Sequence, residues 1–180
     1  MLLKSLREIE KQTLLDMASI LAWIISDLQV VIQIQNNYMT RHRSVDDFPE
    51  KNISPEDYHH VTFSYLFLTL AKLIEFCDQY KDKLNKVCTE VKLKEISNKL
   101  KRLDIRNFRN IFIGHIRNSK TKKPITHDEF EAFFKKIESE HKSFYAFWLK
   151  LDSYNFSGNM PLLESLQKAL DLIKEEYLKI

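Results

Sequence analysis

The chain has 180 residues and a formal net charge of +3, with 44% hydrophobic residues, 29% charged residues, two glycines and four prolines. This length suffices for one domain with a buried core, and the composition is ordinary for a soluble globular protein. Sheets and tight hairpins use glycine in their turns, so its scarcity disfavours β structure. We therefore predict an all-α fold, a single antiparallel bundle of five or six helices in one domain spanning residues 1–180.

The cysteines and the apolar segments bear on the cellular location. Cys77 and Cys88 form no close pair, which predicts free, buried thiols in a reducing cytoplasm. The apolar run at residues 14–25 is interrupted by Asp16 and Ser19, so we expect a core helix and no membrane span. No basic leader precedes a small-residue cleavage site, and we expect no signal peptide.

The first predicted helix covers residues 3–37, where apolar residues recur at steps of three to five: Leu6, Ile9, Leu14, Met17, Leu21, Ile24, Leu28 and Val31. From Leu21 onward the apolar residues extend beyond one face. This is typical of a helix that is central in its bundle or shared with another chain. The polar residues 36–52 predict a loop.

The next helix begins with Ser54 as its cap and Pro55 in its first turn. It is expected to run to about Tyr80, and a helical rhythm continues from Leu84 to Leu103. No glycine or proline marks the break between these two helices, so its position stays open.

The second half of the chain predicts further helices. Asp104 can cap a helix over residues 105–118, and a basic loop follows. Thr126 and Glu129 form a capping box that opens a helix reaching about Tyr154. After the turn at residues 155–159, a closing amphipathic helix runs over residues 162–177.

The aromatic residues of the second helix and of the helix that ends near Tyr154 are expected to pack in the core. They include Tyr58, Phe63, Tyr65 and Phe67 in the first group and Phe130, Phe133, Phe134, Phe144, Tyr145, Phe147 and Trp148 in the second. Aromatic side chains can stack unpaired bases, but helical spacing favours packing.

Positive charge is concentrated at residues 101–123, which hold eight basic residues and Asp104 as the one acid. This segment carries +7, so the rest of the chain carries −4. Clustered basic residues attract phosphate polymers.

Four residues of this segment form an unusual pattern: Arg109, Asn110, Gly114 and His115. On an ideal helix His115 lies about 9 Å along the axis and about 120° around from Arg109, on the apolar side. A histidine there is either a satisfied core residue or faces a second copy of the helix. A mid-helix glycine costs about 1 kcal/mol relative to alanine. Gly114 therefore indicates the close approach of another helix or a ligand.

The sequence Arg109-Asn110, four residues, then His115 resembles the signature of the HEPN superfamily, whose members are helical bundles. The basic run after His115 is most similar to that of abortive-infection members. The resemblance implies a metal-independent endoribonuclease of toxin–antitoxin or abortive-infection type. It further implies a homodimer whose motif helices meet at a shared cleft and an RNA substrate, with an antitoxin protein as a candidate partner and no cofactor.

Carried over residue by residue, the resemblance gives Arg109 and His115 the catalytic positions and Asn110 the polar position. Histidine can move protons near neutral pH, and a fixed guanidinium can stabilise charge on a phosphorane. HEPN toxins paired with nucleotidyltransferase antitoxins often carry a tyrosine two residues after the histidine. Arg117 occupies that position here, which puts control by that route in doubt.

The basic residues around the motif are candidate contacts to the RNA backbone: Arg106, Arg117, Lys120, Lys122 and Lys123. The remaining histidines lack the spacing of zinc ligands, so no metal site is expected. An alternative of another class is a catalytically inactive HEPN-like helical module that binds a partner protein or a nucleotide. The intact motif separates the two hypotheses, because a silent module has no evident need for it.

Overall fold

The structure is a computed structural model that describes residues 2–41, 55–110 and 161–180, together with Ala132 and Lys135. Six α-helices lie in these ranges: α1, Leu2–Arg41; α2, Pro55–Gln79; α3, Lys81–Val87; α4, Leu93–Arg102; α5, Ile105–Phe108; α6, Leu162–Lys179. The predicted all-α class is confirmed. The predicted cap Ser54, the Thr126 capping box and the turn at residues 155–159 lie outside the described residues.

Helix α1 packs against both α6 and α2. Leu14, Met17, Leu21 and Leu28 are fully buried along one face of α1, at the three- and four-residue steps that define a helical stripe. The first predicted helix is confirmed. It continues to Arg41, so the first residues of the predicted loop are helical.

The apolar part of α1 is longer than residues 14–25. The stretch Ser5–Gln35 is long and apolar enough to cross a membrane by length and composition, with a mean hydropathy of 1.7 in its most apolar part. Core helices of soluble proteins meet the same criteria. The buried apolar residues of α1 pack against α2 and α6, as those of a core helix do. Asp16 lies on the exposed side of α1.

Helix α2 begins at Pro55 as expected and ends at Gln79, one residue before the predicted end. A turn at Tyr80 leads into α3, and a second turn at residues 88–92 separates α3 from α4. The helical rhythm predicted over residues 84–103 is therefore two helices. Val91 and Leu93 are buried at this break, so the turn itself packs into the core.

Asp104 forms the corner between α4 and α5. Its φ of 60° and ψ of 29° are left-handed, and within the described ranges no other non-glycine residue has a positive φ. The predicted helix start at Ile105 is confirmed. The cap differs, because the Asp104 carboxylate accepts a hydrogen bond from Asn107 Nδ2 at 3.1 Å and none from a backbone N–H.

Candidate active site

Three of the predicted site residues lie in the described part of the chain: Arg106, Arg109 and Asn110. They come soon after Asp104 in the chain: Arg106 lies on the short helix α5, and Arg109 and Asn110 are the two residues that follow this helix. The other predicted site residues lie outside the described residues: His115, Arg117, Lys120, Lys122 and Lys123.

The apolar side of α5 is anchored within the same chain. Ile105 is fully buried and Phe108 is 4% exposed. The Phe108 ring packs on Phe67 of α2 with 4.5 Å between ring centroids. At this end of the motif helix the apolar side is thus filled by α2, and the position of the backbone leading into Arg109 is fixed by core packing.

Arg109 and Asn110 are π-helical, wider than an α-helix. Single π-helical turns within α-helices are frequent at functional sites. The step of 100° per residue assumed for an ideal helix therefore does not hold at Arg109 and Asn110, because a π-helical residue turns the chain by less than that. Ile105 and Phe108 are buried whereas Asn110 is exposed, so the described part of this segment has an apolar and a polar side.

The Arg109 guanidinium is clamped by two partners. Its Nε and Nη2 donate to Asn110 Oδ1 at 3.1 and 2.9 Å, and its Nη1 donates to Glu75 Oε1 on α2 at 2.5 Å. The side chain keeps 24% of its surface exposed. Guanidinium carries five N–H bonds. Three point at these two oxygens, and the other two have no acceptor among the described residues.

Arg106 makes a parallel contact one turn earlier. Its Nη2 lies 2.9 Å from Asp78 Oδ2, and Lys101 Nζ on α4 lies 2.5 Å from the other oxygen of the same carboxylate. The hydrogen bond from Lys101 and the two positive charges hold the pKa of Asp78 below its usual value of 3.8. Asp78 therefore stays charged at neutral pH and continues to bind both cations.

The two ion pairs connect α2 with residues 106–109 in antiparallel order. Glu75 and Asp78 are three residues apart on α2, and their partners Arg109 and Arg106 are three residues apart in the opposite order. Residues three apart lie on one face of a helix. The two ion pairs thereby hold Arg106 and Arg109 against α2.

The sequence-based reasoning missed Glu75 and Asp78. The available signal was the matching three-residue spacing of acids on α2 and arginines before Asn110, but such spacing is common on solvated helices.

A second difference concerns Tyr65, which was expected in the core. It is 37% exposed and donates a hydrogen bond to Asp27 Oδ1 of α1 at 2.7 Å.

The two thiols are free and buried, as predicted. Burial is the main cause that raises the pKa of Cys77 to about 12 and that of Cys88 to about 11. Neither thiol is a ready nucleophile at neutral pH, since the thiolate is the reactive form. Among the residues that the structure describes, no three His, Cys, Asp or Glu side chains are grouped as metal ligands.

Comparison of the chain with protein-family models, with curated proteins and with solved structures found no match.

Proposed function

We propose that the chain is a metal-independent endoribonuclease of HEPN type that acts as a homodimer, as a toxin or abortive-infection protein in the cytoplasm. The observation that carries the proposal is the clamped guanidinium of Arg109. Asn110 and Glu75 orient it, the Phe108–Phe67 contact fixes its backbone, and the two N–H bonds without an acceptor in the described part of the chain would bind a phosphate. A positive group held in this way can stabilise developing charge without reorganising during the reaction.

The proposed step uses the RNA 2′-hydroxyl as nucleophile. A bond forms between the 2′-oxygen and phosphorus, and the bond from phosphorus to the 5′-oxygen of the next nucleotide breaks. The 2′-hydroxyl proton leaves to a base, and another proton is delivered to the departing 5′-oxygen. His115 supplies one of these proton transfers, and the free N–H bonds of Arg109 neutralise the phosphorane.

The basic residues near the motif would hold the RNA backbone: Arg106, Arg117, Lys120, Lys122 and Lys123. Arg106 contributes less than its formal charge, because Asp78 binds it and Lys101 together. RNA affinity should fall steeply with salt, since each neutralised phosphate releases a counterion.

The test is cleavage of total RNA in EDTA by the wild type, Arg109→Ala and His115→Ala. Arg102→Ala is the matched control, because Arg102 is an exposed arginine of the same basic segment outside the motif. We expect Arg109→Ala and His115→Ala to lower the cleavage rate at least about 100-fold and Arg102→Ala to change it little. Circular dichroism and gel filtration check folding and dimerisation.

A wild-type protein that binds RNA or a nucleotide without cutting RNA would contradict the ribonuclease proposal. It would favour the alternative of a catalytically inactive HEPN-like helical module. Cleavage that survives in well-folded Arg109→Ala would contradict the role of the clamped guanidinium.

A further inference from the structure

A cleft with a volume of about 550 Å³ lies between α1 and α2, next to the clamped arginine. Ile20 and Trp23 line it from α1, and Tyr65, Lys72, Glu75 and Gln79 line it from α2. We call it the α1–α2 cleft. Glu75 both lines this cleft and binds Arg109, so this one side chain borders both the cleft and the candidate active site.

Trp23 is the most unusual residue of the cleft. Its side chain is 76% exposed, whereas Ile24, the next residue, is buried. Isolated exposed apolar residues need no explanation. Trp23, however, lines the cleft together with Tyr65, whose side chain is 37% exposed, and we call these two aromatic residues the aromatic platform.

The register of the two helices brings this platform near Arg109. Asp27 of α1 contacts Tyr65 and Lys72 of α2. Glu10, earlier on α1, contacts Lys83 of α3, which follows α2, so α1 and α2 run antiparallel. Trp23, one turn before Asp27, lies near the level of Lys72. Glu75 lies one turn beyond Lys72, about 4.5 Å along the axis.

Both acids of the α1–α2 cleft are paired with a cation, Asp27 with one inside the cleft and Glu75 with one beside it. Asp27 accepts hydrogen bonds from Tyr65 Oη at 2.7 Å and from Lys72 Nζ at 3.2 Å, and Glu75 is paired with Arg109. Aromatic rings beside ion-paired side chains suit a flat, uncharged heteroaromatic ring.

We propose that the α1–α2 cleft binds an unpaired RNA base, stacked on Trp23, beside the nucleotide whose phosphate is held by Arg109. The inference rests on the proposed function, because it names a subsite of the same RNA. Aromatic stacking accepts any base, since every base has a π face. The cleft would therefore add affinity for single-stranded RNA with little sequence preference.

The test measures binding of a labelled, short single-stranded oligoadenylate by fluorescence anisotropy. It compares the wild type with Trp23→Ala, Trp23→Phe and Arg109→Ala. Leu15→Ala is the matched control, because Leu15 is an exposed apolar residue of α1 outside the cleft. In a parallel titration, Trp148→Phe leaves Trp23 as the one tryptophan of the chain, and its fluorescence reports stacking directly.

We expect Trp23→Ala to weaken binding at least about fivefold, the lower end for loss of one stacked base. Trp23→Phe should retain most of the affinity, Leu15→Ala should bind like the wild type, and the oligoadenylate should quench Trp23 fluorescence. If Trp23→Ala binds as tightly as the wild type while Arg109→Ala is weakened, the cleft inference fails and the proposed function stands.

Two further outcomes also overturn the inference. If the wild type neither binds nor cleaves RNA, the proposed function fails and the inference fails with it. If Trp23→Ala changes the oligomeric state in gel filtration and loses RNA binding only through that change, the cleft is a contact between copies of the chain.

Discussion

At the scale of single residues, the central feature is a guanidinium whose orientation is set by a neutral and a charged partner. Asn110 accepts from Nε and Nη2, and Glu75 accepts from Nη1. Glu75 therefore has two opposing effects on RNA. Its hydrogen bond orients Arg109, but its negative charge reduces the attraction of Arg109 for a phosphate.

Glu75→Gln separates these two effects. The glutamine amide oxygen can still accept a hydrogen bond from Arg109. The substitution removes the negative charge and weakens the hold on the Arg109 guanidinium. We expect RNA binding to become tighter by up to about fivefold, the range for an exposed ion pair, and kcat to fall. Single-turnover cleavage with an independent measurement of Kd tests this split. Glu8→Gln, on the exposed surface of α1, is the control for loss of one negative charge.

The sequence pattern identified Arg109 and Asn110 but not Glu75, for a physical reason. The motif residues are adjacent in the chain, so their spacing is visible in the sequence. Glu75 lies 34 residues before Arg109, and the contact exists only because Phe67 and Phe108 pack α2 against α5. Trp23 was missed for a similar reason, since its exposure depends on which face of α1 is covered.

At the scale of elements, the motif depends on the corner at Asp104. The left-handed residue lets α4 end and α5 begin with a change of direction, so that Ile105 and Phe108 enter the core. The helix start was predictable, because aspartate is a common cap. The left-handed backbone was not, because nothing in the local sequence separates a capping aspartate from one at a corner.

Substitutions at Asp104 test this corner. A β-branched residue is strongly disfavoured in left-handed backbone, whereas asparagine tolerates it. We expect Asp104→Val to lower the free energy of unfolding by about 1–2 kcal/mol and Asp104→Asn to change it much less. Urea denaturation followed by circular dichroism measures both. Equal stability of the two variants would contradict the left-handed corner.

At the scale of the whole molecule, burial is the part that the sequence predicted best. The stripe through Leu14, Met17, Leu21 and Leu28 packs as its periodicity indicated, and the closing helix begins at Leu162 as expected. The break between α3 and α4 was not predictable, because the turn is stabilised by burying Val91 and Leu93 and contains neither glycine nor proline.

The packing of α1, α2 and α5 also defines what the molecule presents to a polymer. The clamped Arg109 lies against Glu75 of α2, and Trp23 lines the α1–α2 cleft on which Glu75 also borders. A homodimer would bring two such surfaces together. A single strand of RNA passing along one of them would meet a cation for its phosphate and an aromatic ring for a base.

We propose that the clamped arginine serves RNA cleavage through the 2′-hydroxyl without metal. The most direct measurement compares a single-stranded RNA with its fully 2′-O-methylated counterpart in EDTA, with analysis of the product ends. We expect the RNA to be cut, leaving 2′,3′-cyclic phosphate and 5′-hydroxyl ends, and the methylated strand to stay intact. Cleavage of both strands, or an intact RNA, would contradict it.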